Sequence, residues 1–310
     1  MSMNQSVLIC DQVNPVLNEI LEKNGLQITY EPEITPEQIL EKIENFEVII
    51  VRSRTKITKD MIEKANKCQI IARVGVGLDN IDQAAAKEKN IRVINAVEGA
   101  MNAVAELVIG LMLSLAREIP RADREVRNGN WIKKELMGTE LRGKYLGIVG
   151  LGNIGKRLGR LARALNMNII GYDVVPIDEE FSSEVGLMKA DLGTLLASSD
   201  YVSLHVPLLD STKHLINAEK MSTMKNTSRI INTSRGGVID EEALYEFLKD
   251  GKLGGAALDV FEVEPATSNK LASLPNFIST PHMGAQTKEA QSLAANVIAE
   301  KIIQILRGVT

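Results

Sequence analysis

The chain is poor in the residues that build disulfide-rich, metal-rich or aromatic-rich proteins. Its 310 residues include two cysteines and one tryptophan, and the aromatic content is 4%. Cys10 and Cys68 each border an apolar run and have neither CxxC nor metal-ligand spacing. We therefore expect buried, reduced thiols, and neither a disulfide nor a metal site.

An excess of positive charge is also missing, as are long apolar runs. With 36 basic and 40 acidic residues the formal net charge is −4, which argues against nucleic acid as a partner and means that any arginine cluster needs a specific anionic ligand. No uninterrupted apolar stretch reaches about 18 residues, and the opening MSMNQSV has no signal-peptide core. We expect a cytoplasmic protein with no membrane partner.

What the chain does contain is two series of short β-branched runs that alternate with helical stretches. The length favours two domains at about 150 residues each. Alternation of this kind is typical of α/β domains with parallel sheets. The first series has strand-like runs at 7–10, 48–51, 70–74 and 93–95 and helical stretches at 13–23 and 58–67. The second has strand-like runs at 145–149, 168–172, 201–204, 229–233, 256–260 and 277–279.

Residues 287–307 form one further amphipathic helix. If this helix packs against the first series, the second series is an insertion, and the domains are 1–98 with 287–310 and, between them, 99–286. The predicted fold is α/β with two doubly wound parallel-sheet domains. Residues 101–119 are apolar around most of a helix circumference, so we expect that helix to be buried at the domain junction or in a dimer interface.

A complete dinucleotide-binding unit lies at 144–173, KYLGIVGLGNIGKRLGRLARALNMNIIGYD. A strand-like run leads into Gly150, Gly152 and Gly155, which allow the tight turn, the approach of backbone to a pyrophosphate and close packing of the helix on the strand. The helix N-terminus then attracts the phosphates. Asp173 ends the next strand, where a carboxylate can bind ribose hydroxyls and repel a 2′-phosphate. This pattern favours NAD over NADP; the alternative is a glycine-rich turn without a phosphate ligand.

Three polar residues follow predicted strands of the second series: Arg235 in INTSRGG, Glu264 in ALDVFEVEP and His282 in STPHMGA. Loops at the carboxyl ends of parallel strands carry ligand-binding groups, and a guanidinium suits a carboxylate. Each residue also has a simpler interpretation, as a salt bridge, an exposed turn acid or a loop histidine bonded to backbone. Of the two other histidines, His205 ends a strand, and we expect it either to pack near the nicotinamide or to form a hydrogen bond with backbone. We expect His214 to be solvated at a helix start.

With these motifs the chain resembles the NAD-dependent D-2-hydroxyacid dehydrogenases over essentially its whole length. The segments that carry the resemblance are GLGNIG, HVPLLDSTKHLIN, INTSRGGVIDEEAL, GAALDVFEVEP and TPHMGAQTKEA. The resemblance implies a Rossmann-type cofactor domain inserted into a flavodoxin-like substrate domain, with Arg235, Glu264 and His282 as catalytic residues. It implies NAD contacts at Val76, Gly150, Gly152, Asn153, Ile154, Gly155, Asp173, His205, Val206, Pro207, Thr233, Ser234, Arg235, Asp259, His282, Gly284 and Ala285.

The implied reaction agrees with the chemistry of these side chains. His282, as a neutral imidazole, would take the hydroxyl proton of the substrate while hydride leaves the same carbon for the nicotinamide. Glu264 would accept the other ring N–H and so fix the tautomer. Arg235 would hold the substrate carboxylate.

Within the family, the chain resembles most the phosphoglycerate dehydrogenases, through VRSRTKIT and ARVGVGLDNID in the first domain. Converging guanidiniums in an acidic protein call for an anion such as a phosphoryl group, unless they pair with Asp79 or Asp82. The resemblance implies a homodimer that oxidises 3-phospho-D-glycerate, the first step of L-serine biosynthesis. The predicted substrate-binding residues are Arg52, Ser53, Arg54, Arg73, Gly75 and Asn102.

Other interpretations remain open at this point. A glyoxylate or hydroxypyruvate reductase of the same family would use the same three catalytic residues on an unphosphorylated substrate. An NAD-sensing corepressor-like binding protein would need additional peptide-binding segments. Many phosphoglycerate dehydrogenases carry a C-terminal domain that senses serine, and because the chain ends where such a domain would begin, we expect no serine feedback through an appended domain.

Overall fold

The computed structural model describes residues 4–308. The expectations for residues 1–3, within MSMNQSV, and for residues 309–310 lie outside the described residues. The chain divides into two compact units, one made of Met1–Met101 with Ala285–Thr310 and the other of Asn102–Gly284.

The strands and helices alternate along the chain, as the sequence predicted. The strands are Ser6–Ile9 (β1), Gln27–Tyr30 (β2), Val48–Val51 (β3), Ile70–Arg73 (β4), Arg92–Asn95 (β5), Tyr145–Val149 (β6), Asn168–Tyr172 (β7), Met188–Lys189 (β8), Tyr201–Leu204 (β9), Arg229–Asn232 (β10), Gly255–Leu258 (β11) and Phe277–Ser279 (β12). The α-helices are Val16–Lys23 (α1), Pro36–Lys42 (α2), Lys59–Lys64 (α3), Gln83–Glu88 (α4), Val97–Arg117 (α5), Ile119–Arg127 (α6), Asn153–Ala164 (α7), Glu179–Val185 (α8), Leu192–Ser198 (α9), Ala218–Ser222 (α10), Glu241–Lys249 (α11) and Lys288–Leu306 (α12). Single 3₁₀ turns lie at Ile43–Asn45, Lys133–Glu135 and Lys270–Ser273.

The first unit contains a parallel sheet in the order β2-β1-β3-β4-β5. This is the strand order of flavodoxin-like folds. The central strand β3 reads VIIV and is buried on both faces, which is expected where helices cover both sides of a parallel sheet. One face packs against α1 and α12, and the other against α2, α3 and α4.

The second unit contains a parallel sheet in the order β12-β11-β10-β9-β6-β7-β8. Counted from β6, this is the Rossmann order extended by one strand, and the order reverses between β6 and β9. The predicted fold class, two doubly wound parallel-sheet domains, is confirmed.

The last helix accounts for the insertion. Helix α12 packs in the core of the first unit, where Ala295, Ile298 and Ile302 are fully buried together with Leu17 and Leu21 of α1. The first unit therefore consists of β1–β5 with α1–α4 and, after the whole second unit, of helix α12. The predicted insertion of the cofactor domain is confirmed.

Helix α5 begins and ends earlier than the apolar stretch 101–119 suggested. It has 21 residues and a mean hydropathy of 1.7 in its most apolar window, so by length and composition alone it could cross a membrane. The expectation that no segment is long and apolar enough to span a membrane is therefore corrected for this helix. Its buried residues include Val108, Met112 and Leu115, which lie in the core of the second unit, and this is the behaviour of a core helix.

Two strands, both at sheet edges, were missed in the sequence. Strand β2 reads QITY with an exposed and half-exposed pattern, and β8 has only the exposed residues Met188 and Lys189. Neither has the buried apolar run on which the sequence prediction depended. The two cysteines are free and buried, as predicted, and burial raises the pKa of each thiol to about 12.

Candidate active site

The glycine turn has the backbone that a dinucleotide-binding unit requires. Gly150 has φ +94°, and a Cβ at this position would lie 2.6 Å from the carbonyl oxygen of His205. At Gly155, in the first turn of α7, a Cβ would lie 2.1 Å from the carbonyl oxygen of Gly150. Because only glycine fits at both positions, the turn brings strand and helix together as the motif predicted.

Several features of the second unit fit the pyrophosphate and nicotinamide of NAD. Gly152 caps α7, and a Cβ there would meet no heavy atom within 4 Å. Asn153 and Ile154 open the helix, where the first N–H groups have no intrahelical acceptor. After β10, Thr233 is 9% exposed, and its Oγ1 is a buried atom without a hydrogen-bond partner among residues 4–308. An open helix N-terminus and an unsatisfied buried hydroxyl are what a dinucleotide ligand would complete.

Asp173 lies directly after β7, as predicted for the ribose ligand. Its Oδ2 accepts a hydrogen bond from the backbone N–H of Leu151 at 2.6 Å, and its Oδ1 accepts one from that of Val175 at 3.2 Å. These two bonds hold the carboxylate beside the glycine turn. A carboxylate has lone pairs beyond the two used here, so it can still accept hydrogen bonds from ribose hydroxyls.

Three adjacent parallel strands bring the predicted catalytic residues to one edge of the sheet. Strand β11 pairs with β10 on one side and with β12 on the other. Arg235 follows β10, Glu264 follows β11 and His282 follows β12. Because carboxyl ends of parallel strands meet at the same edge, the three loops are neighbours.

Glu264 and His282 are in direct contact. The distance between His282 Nδ1 and Glu264 Oε2 is 2.8 Å. The other oxygen, Glu264 Oε1, accepts the N–H of Phe261 at 3.1 Å, which fixes the carboxylate within its own loop. With Nδ1 occupied by Glu264, Nε2 is the ring atom left to exchange a proton with a substrate.

The loop that carries His282 is held by the buried carboxylate of Asp259. Asp259 is 1% exposed. Its Oδ1 accepts from Thr280 Oγ1 at 2.6 Å and from the N–H of Met283 at 2.8 Å, and its Oδ2 accepts from the N–H of Gly284 at 2.8 Å. Between these anchors His282 has φ +51°, a left-handed backbone that few non-glycine residues adopt. The anchoring offsets that conformational cost.

The loop that carries Arg235 contacts the loop that carries Glu264. A Cβ at Gly236 would lie 1.8 Å from the carbonyl oxygen of Phe261, so the two backbones touch at a position where only glycine fits. Arg235 Nη1 donates to the carbonyl oxygen of Ser234 at 2.6 Å, and Ser234 Oγ donates to Asn232 Oδ1 at 2.7 Å. These contacts restrain the loop that carries Arg235.

His205 and His214 have different surroundings. His205 is partly buried after β9, its Nε2 lies 2.9 Å from Ser203 Oγ, and burial lowers its pKa to about 4. It is followed by Val206 and Pro207, the other predicted cofactor contacts of this loop. His214 lies in a turn with φ +48° rather than at a helix start, and its Nε2 is 3.1 Å from Glu262 Oε1, which corrects the expectation of a simply solvated side chain.

In the first unit, Arg52 and Arg73 are in contact, whereas Arg54 is held elsewhere. Arg73 Nε donates to the carbonyl oxygen of Arg52 at 2.9 Å, and Arg52 Nη2 donates to Gln286 Oε1 at 3.1 Å. Arg54 Nε lies 3.2 Å from Asp11 Oδ1. The other nitrogens of Arg54 donate to the carbonyl oxygens of Cys10, Pro32 and Ile34 at 2.5, 2.8 and 3.1 Å.

Asp11 is a residue that the sequence analysis did not select. Its side chain is 4% exposed and accepts from the backbone N–H groups of Arg52 and Thr55 at 2.5 and 3.3 Å and from Thr55 Oγ1 at 2.6 Å. It therefore shapes the loop after β3. A lone acid directly after a buried strand was the available signal, but its partners are more than 40 residues away in the chain.

The remaining predicted residues lie in the expected segments. Ser53 is exposed in the loop after β3, and Gly75 and Val76 follow β4 in the first unit. Asn102 lies on α5 and belongs to the second unit, and Ala285 is the first residue of the chain after it returns to the first unit.

One family model matches residues 109–284, and its description is D-isomer specific 2-hydroxyacid dehydrogenase, NAD binding domain. The matched segment contains the glycine turn and the loops of Arg235, Glu264 and His282. The cofactor expected from the motif, NAD, is thus the one named for this domain.

The chain is also similar to named proteins along most of its length. It is 47% identical to the D-3-phosphoglycerate dehydrogenase of Methanocaldococcus jannaschii over 97% of this chain and 57% of that protein, so it spans little more than half of that relative. It is 47% identical to the hydroxypyruvate reductase of Thermotoga maritima over 93% of each. The holo crystal structure of Rhodotorula graminis D-mandelate dehydrogenase matches it with a TM-score of 0.90 at 30% identity, over 97% of this chain and 94% of that chain.

Proposed function

Because the chain belongs to the D-isomer-specific 2-hydroxyacid dehydrogenase family, we propose that it is an NAD-dependent dehydrogenase that oxidises 3-phospho-D-glycerate to 3-phosphohydroxypyruvate. That reaction opens L-serine biosynthesis. A cytoplasmic location, predicted from the sequence, is part of the same proposal.

The observation that carries the proposed reaction is the Glu264–His282 pair beside the Arg235 loop. Glu264 Oε2 lies 2.8 Å from His282 Nδ1 and can accept a hydrogen bond from an N–H at that atom, which leaves Nε2 of the neutral ring without a hydrogen. Nε2 can then accept the hydroxyl proton of the substrate, and the carboxylate stabilises the imidazolium that results. In the reverse direction the same imidazolium returns the proton to the carbonyl oxygen.

Arg235 would hold the substrate carboxylate. A guanidinium can bind a carboxylate through two parallel N–H donors, and this orients the neighbouring C–H and O–H bonds. NAD, when bound at the glycine turn, supplies the acceptor for the hydride that leaves the same carbon. Together these groups account for the position of the substrate, its proton and its hydride.

The phosphorylated substrate is supported by the arginines of the first unit. Arg52, Arg54 and Arg73 lie within one strand-end region of a protein whose net charge is −4. Arg54 is engaged by Asp11 and three carbonyl oxygens, whereas Arg52 makes its hydrogen bond through the neutral amide of Gln286. We therefore assign phosphate recognition chiefly to Arg52, with Ser53 beside it as a hydroxyl donor. Arg54 then orders the loop.

A hydroxypyruvate reductase is the second candidate. The Thermotoga maritima relative of that name is as similar in identity as the phosphoglycerate dehydrogenase of Methanocaldococcus jannaschii. The engagement of Arg54 and Arg73 by groups of the protein also leaves fewer guanidinium donors for a phosphate. The two candidates share their catalytic residues and differ in what Arg52 does.

The experiment that separates them measures NADH formation from D-3-phosphoglycerate and from D-glycerate. We expect Arg52→Ala to lower kcat/KM for the phosphorylated acid by about 10- to 100-fold, the value of one or two charge-assisted hydrogen bonds, and to leave D-glycerate unchanged. Lys56→Ala, which removes an equal charge from the exposed part of the same loop, is the matched control. Equal or better turnover of D-glycerate by the wild type, insensitive to Arg52→Ala, would identify a hydroxypyruvate reductase.

The proposed chemistry has its own test. We expect His282→Gln to lower kcat by about 10²- to 10⁴-fold in both directions, because the general base is lost. NADH binding, measured by fluorescence titration, should persist, since the contacts expected at the glycine turn are untouched and only the one at residue 282 changes. If His282→Gln retains activity close to that of the wild type, proton transfer does not depend on this residue.

A further inference from the structure

Glu241, the first residue of α11, makes contacts beyond its own helix. Its Oε1 accepts the backbone N–H of Glu262 at 2.6 Å, and its Oε2 accepts from Asn269 Nδ2 at 2.6 Å. Glu262 lies 21 residues further along the chain, two positions before Glu264. The carboxylate of Glu241 therefore reaches the backbone of the loop that carries the proposed partner of His282.

The contact between these two residues is reciprocal. Glu262 Oε1 accepts the backbone N–H of Glu241 at 3.2 Å and also lies 3.1 Å from His214 Nε2. Each glutamate thus accepts the other's N–H, and the start of α11 is joined to the loop after β11 by two hydrogen bonds. A charged acceptor makes such bonds stronger than neutral ones.

Two more contacts restrain the same segment. Gly236 packs against the carbonyl group of Phe261, and the N–H of Phe261 donates to Glu264 Oε1. Consecutive residues of the loop are therefore held at Phe261 by Gly236 and at Glu262 by Glu241. With Glu264 Oε1 bound to the N–H of Phe261, the other oxygen, Oε2, contacts His282 Nδ1.

This arrangement has an electrostatic cost. Burial raises the pKa of the Glu241 carboxyl above its usual range, and the nearby carboxylates of Glu262 and Glu264 raise it further. A helix start needs no such crowding, because Asp240 already caps α11 by accepting the N–H of Ala243 at 3.0 Å. Perturbed ionisable groups concentrate at functional sites because they are retained for a task.

We propose that Glu241 is a positioning residue, which holds the Phe261–Glu264 loop so that Glu264 meets the Nδ1 of His282. The proposal rests on the function proposed above, because it assigns the Glu264–His282 pair to proton transfer. It adds a residue on a different element, joined to that pair through Glu262.

The test compares Glu241→Ala, Glu241→Gln and Glu242→Ala in the full chain. Alanine removes both bonds made by the side chain of Glu241. Glutamine retains one oxygen that can accept the N–H of Glu262. Glu242→Ala is the matched control, because Glu242 is the next residue of the same helix turn, is exposed, and pairs with Lys270 rather than with the Glu264 loop.

Two readouts are needed. The first is steady-state kinetics with NAD and the 2-hydroxy acid that the wild type oxidises. We expect Glu241→Ala to lower kcat by about 10- to 100-fold, since a small displacement of a catalytic group has such an effect, with KM for NAD unchanged. Glu241→Gln should recover most of the loss, and Glu242→Ala should match the wild type.

The second readout does not need activity. The chain has three histidines, so the imidazole ¹⁵N shifts of each can be assigned with single-histidine variants. In the wild type, Glu264 should hold the proton of neutral His282 on Nδ1. We expect Glu241→Ala to move His282 towards the Nε2–H tautomer, as Glu264→Gln should do directly, and Glu242→Ala to leave the shifts unchanged.

The outcomes are distinguishable. A lower kcat together with a changed His282 tautomer in Glu241→Ala alone supports the proposal. An unchanged His282 tautomer in Glu241→Ala overturns the proposal. If kcat falls together with thermal stability while the tautomer is unchanged, the lost activity reflects general folding and not the position of Glu264. If the tautomer changes but the wild type oxidises no 2-hydroxy acid, the positioning role stands and the proposed function fails.

Discussion

Buried aspartates order the loops on which the proposed site residues lie. Asp11 binds two backbone N–H groups and a hydroxyl of the loop after β3, and Asp259 does the same for the loop of His282. The hydrogen bonds from these donors replace those that water would make to a buried carboxyl group. In each unit, a buried acid thus restrains a strand-end loop that supports other side chains.

His205 should make the stability of the protein fall in mildly acidic solution. Burial lowers its pKa to about 4 in the folded chain, whereas an unfolded histidine titrates near 6.5. Between these values the unfolded state binds more protons, so the contribution of His205 to stability is fully present above about pH 6.5 and is lost as the pH falls towards 4. Between pH 7 and pH 5 the loss is up to about 2 kcal/mol.

Urea unfolding of the apo protein at pH 7 and pH 5 measures this effect. Glutamine is neutral at both pH values. The free energy of unfolding of His205→Gln should therefore fall less between pH 7 and pH 5 than that of the wild type, by up to about 2 kcal/mol. His214→Gln serves as the control, because His214 is half-exposed in a turn and lies beside the carboxylate of Glu262 rather than in a buried site. Equal pH sensitivity in His205→Gln and the wild type would show that His205 does not titrate abnormally.

At the scale of elements, the helical glycines Gly159 and Gly110 differ in how closely other atoms approach them. Gly159 lies in α7, where a Cβ would be 2.8 Å from Cζ of Phe181, a side chain of α8 that is 1% exposed. Gly110 lies in the interior of α5, where a Cβ would meet no atom within 4 Å. The two glycines have the same helical backbone and opposite surroundings.

These two positions give a matched pair of stability predictions. We expect Gly110→Ala to raise the free energy of unfolding by about 0.5–1 kcal/mol, because alanine loses less backbone entropy in a helix. Gly159→Ala should lower it by about 1–3 kcal/mol, because Phe181 is packed and must shift. Thermal midpoints and urea unfolding would measure both. Destabilisation by Gly110→Ala would mean that its face of α5 packs against a further partner, such as a second copy of the chain.

At the scale of the whole molecule, an exposed apolar stretch supports the predicted homodimer. Ile119 and Val126 of α6, with Trp131 and Met137 after it, are 49%, 56%, 82% and 88% exposed. Large apolar side chains rarely remain in water at such density along one segment unless they bind another surface. We therefore predict a dimer that buries this segment.

Light scattering after size exclusion should give twice the monomer mass for the wild type. Trp131→Glu should shift the mass towards that of the monomer, because it places a charge among the apolar contacts. Tyr30→Glu, at an exposed position of the sheet edge in the first unit, should leave the dimer unchanged. A wild type of monomer mass would refute the prediction.

Much of the fold and of the candidate site could be read from local patterns. Strands such as β3, β6 and β9 were predicted at their observed bounds, because they are short runs of buried apolar residues between polar segments. Arg235, Glu264 and His282 could be grouped because each follows a strand and the strands are parallel. Strands β2 and β8, Asp11 and Glu241 were missed because their roles depend on partners distant in the chain.

The sequence by itself determined the dinucleotide-binding turn, since its glycines, its helix start and Asp173 act on one another within 30 residues of chain. It also determined the family, through motifs that are contiguous. Only the tertiary structure decided which charged groups meet: Arg54 with Asp11 rather than with Asp82, which caps α4 instead, and Glu241 with the N–H of Glu262. The physical reason is that these hydrogen bonds join segments 21 or more residues apart, whose meeting depends on how the sheets and helices pack.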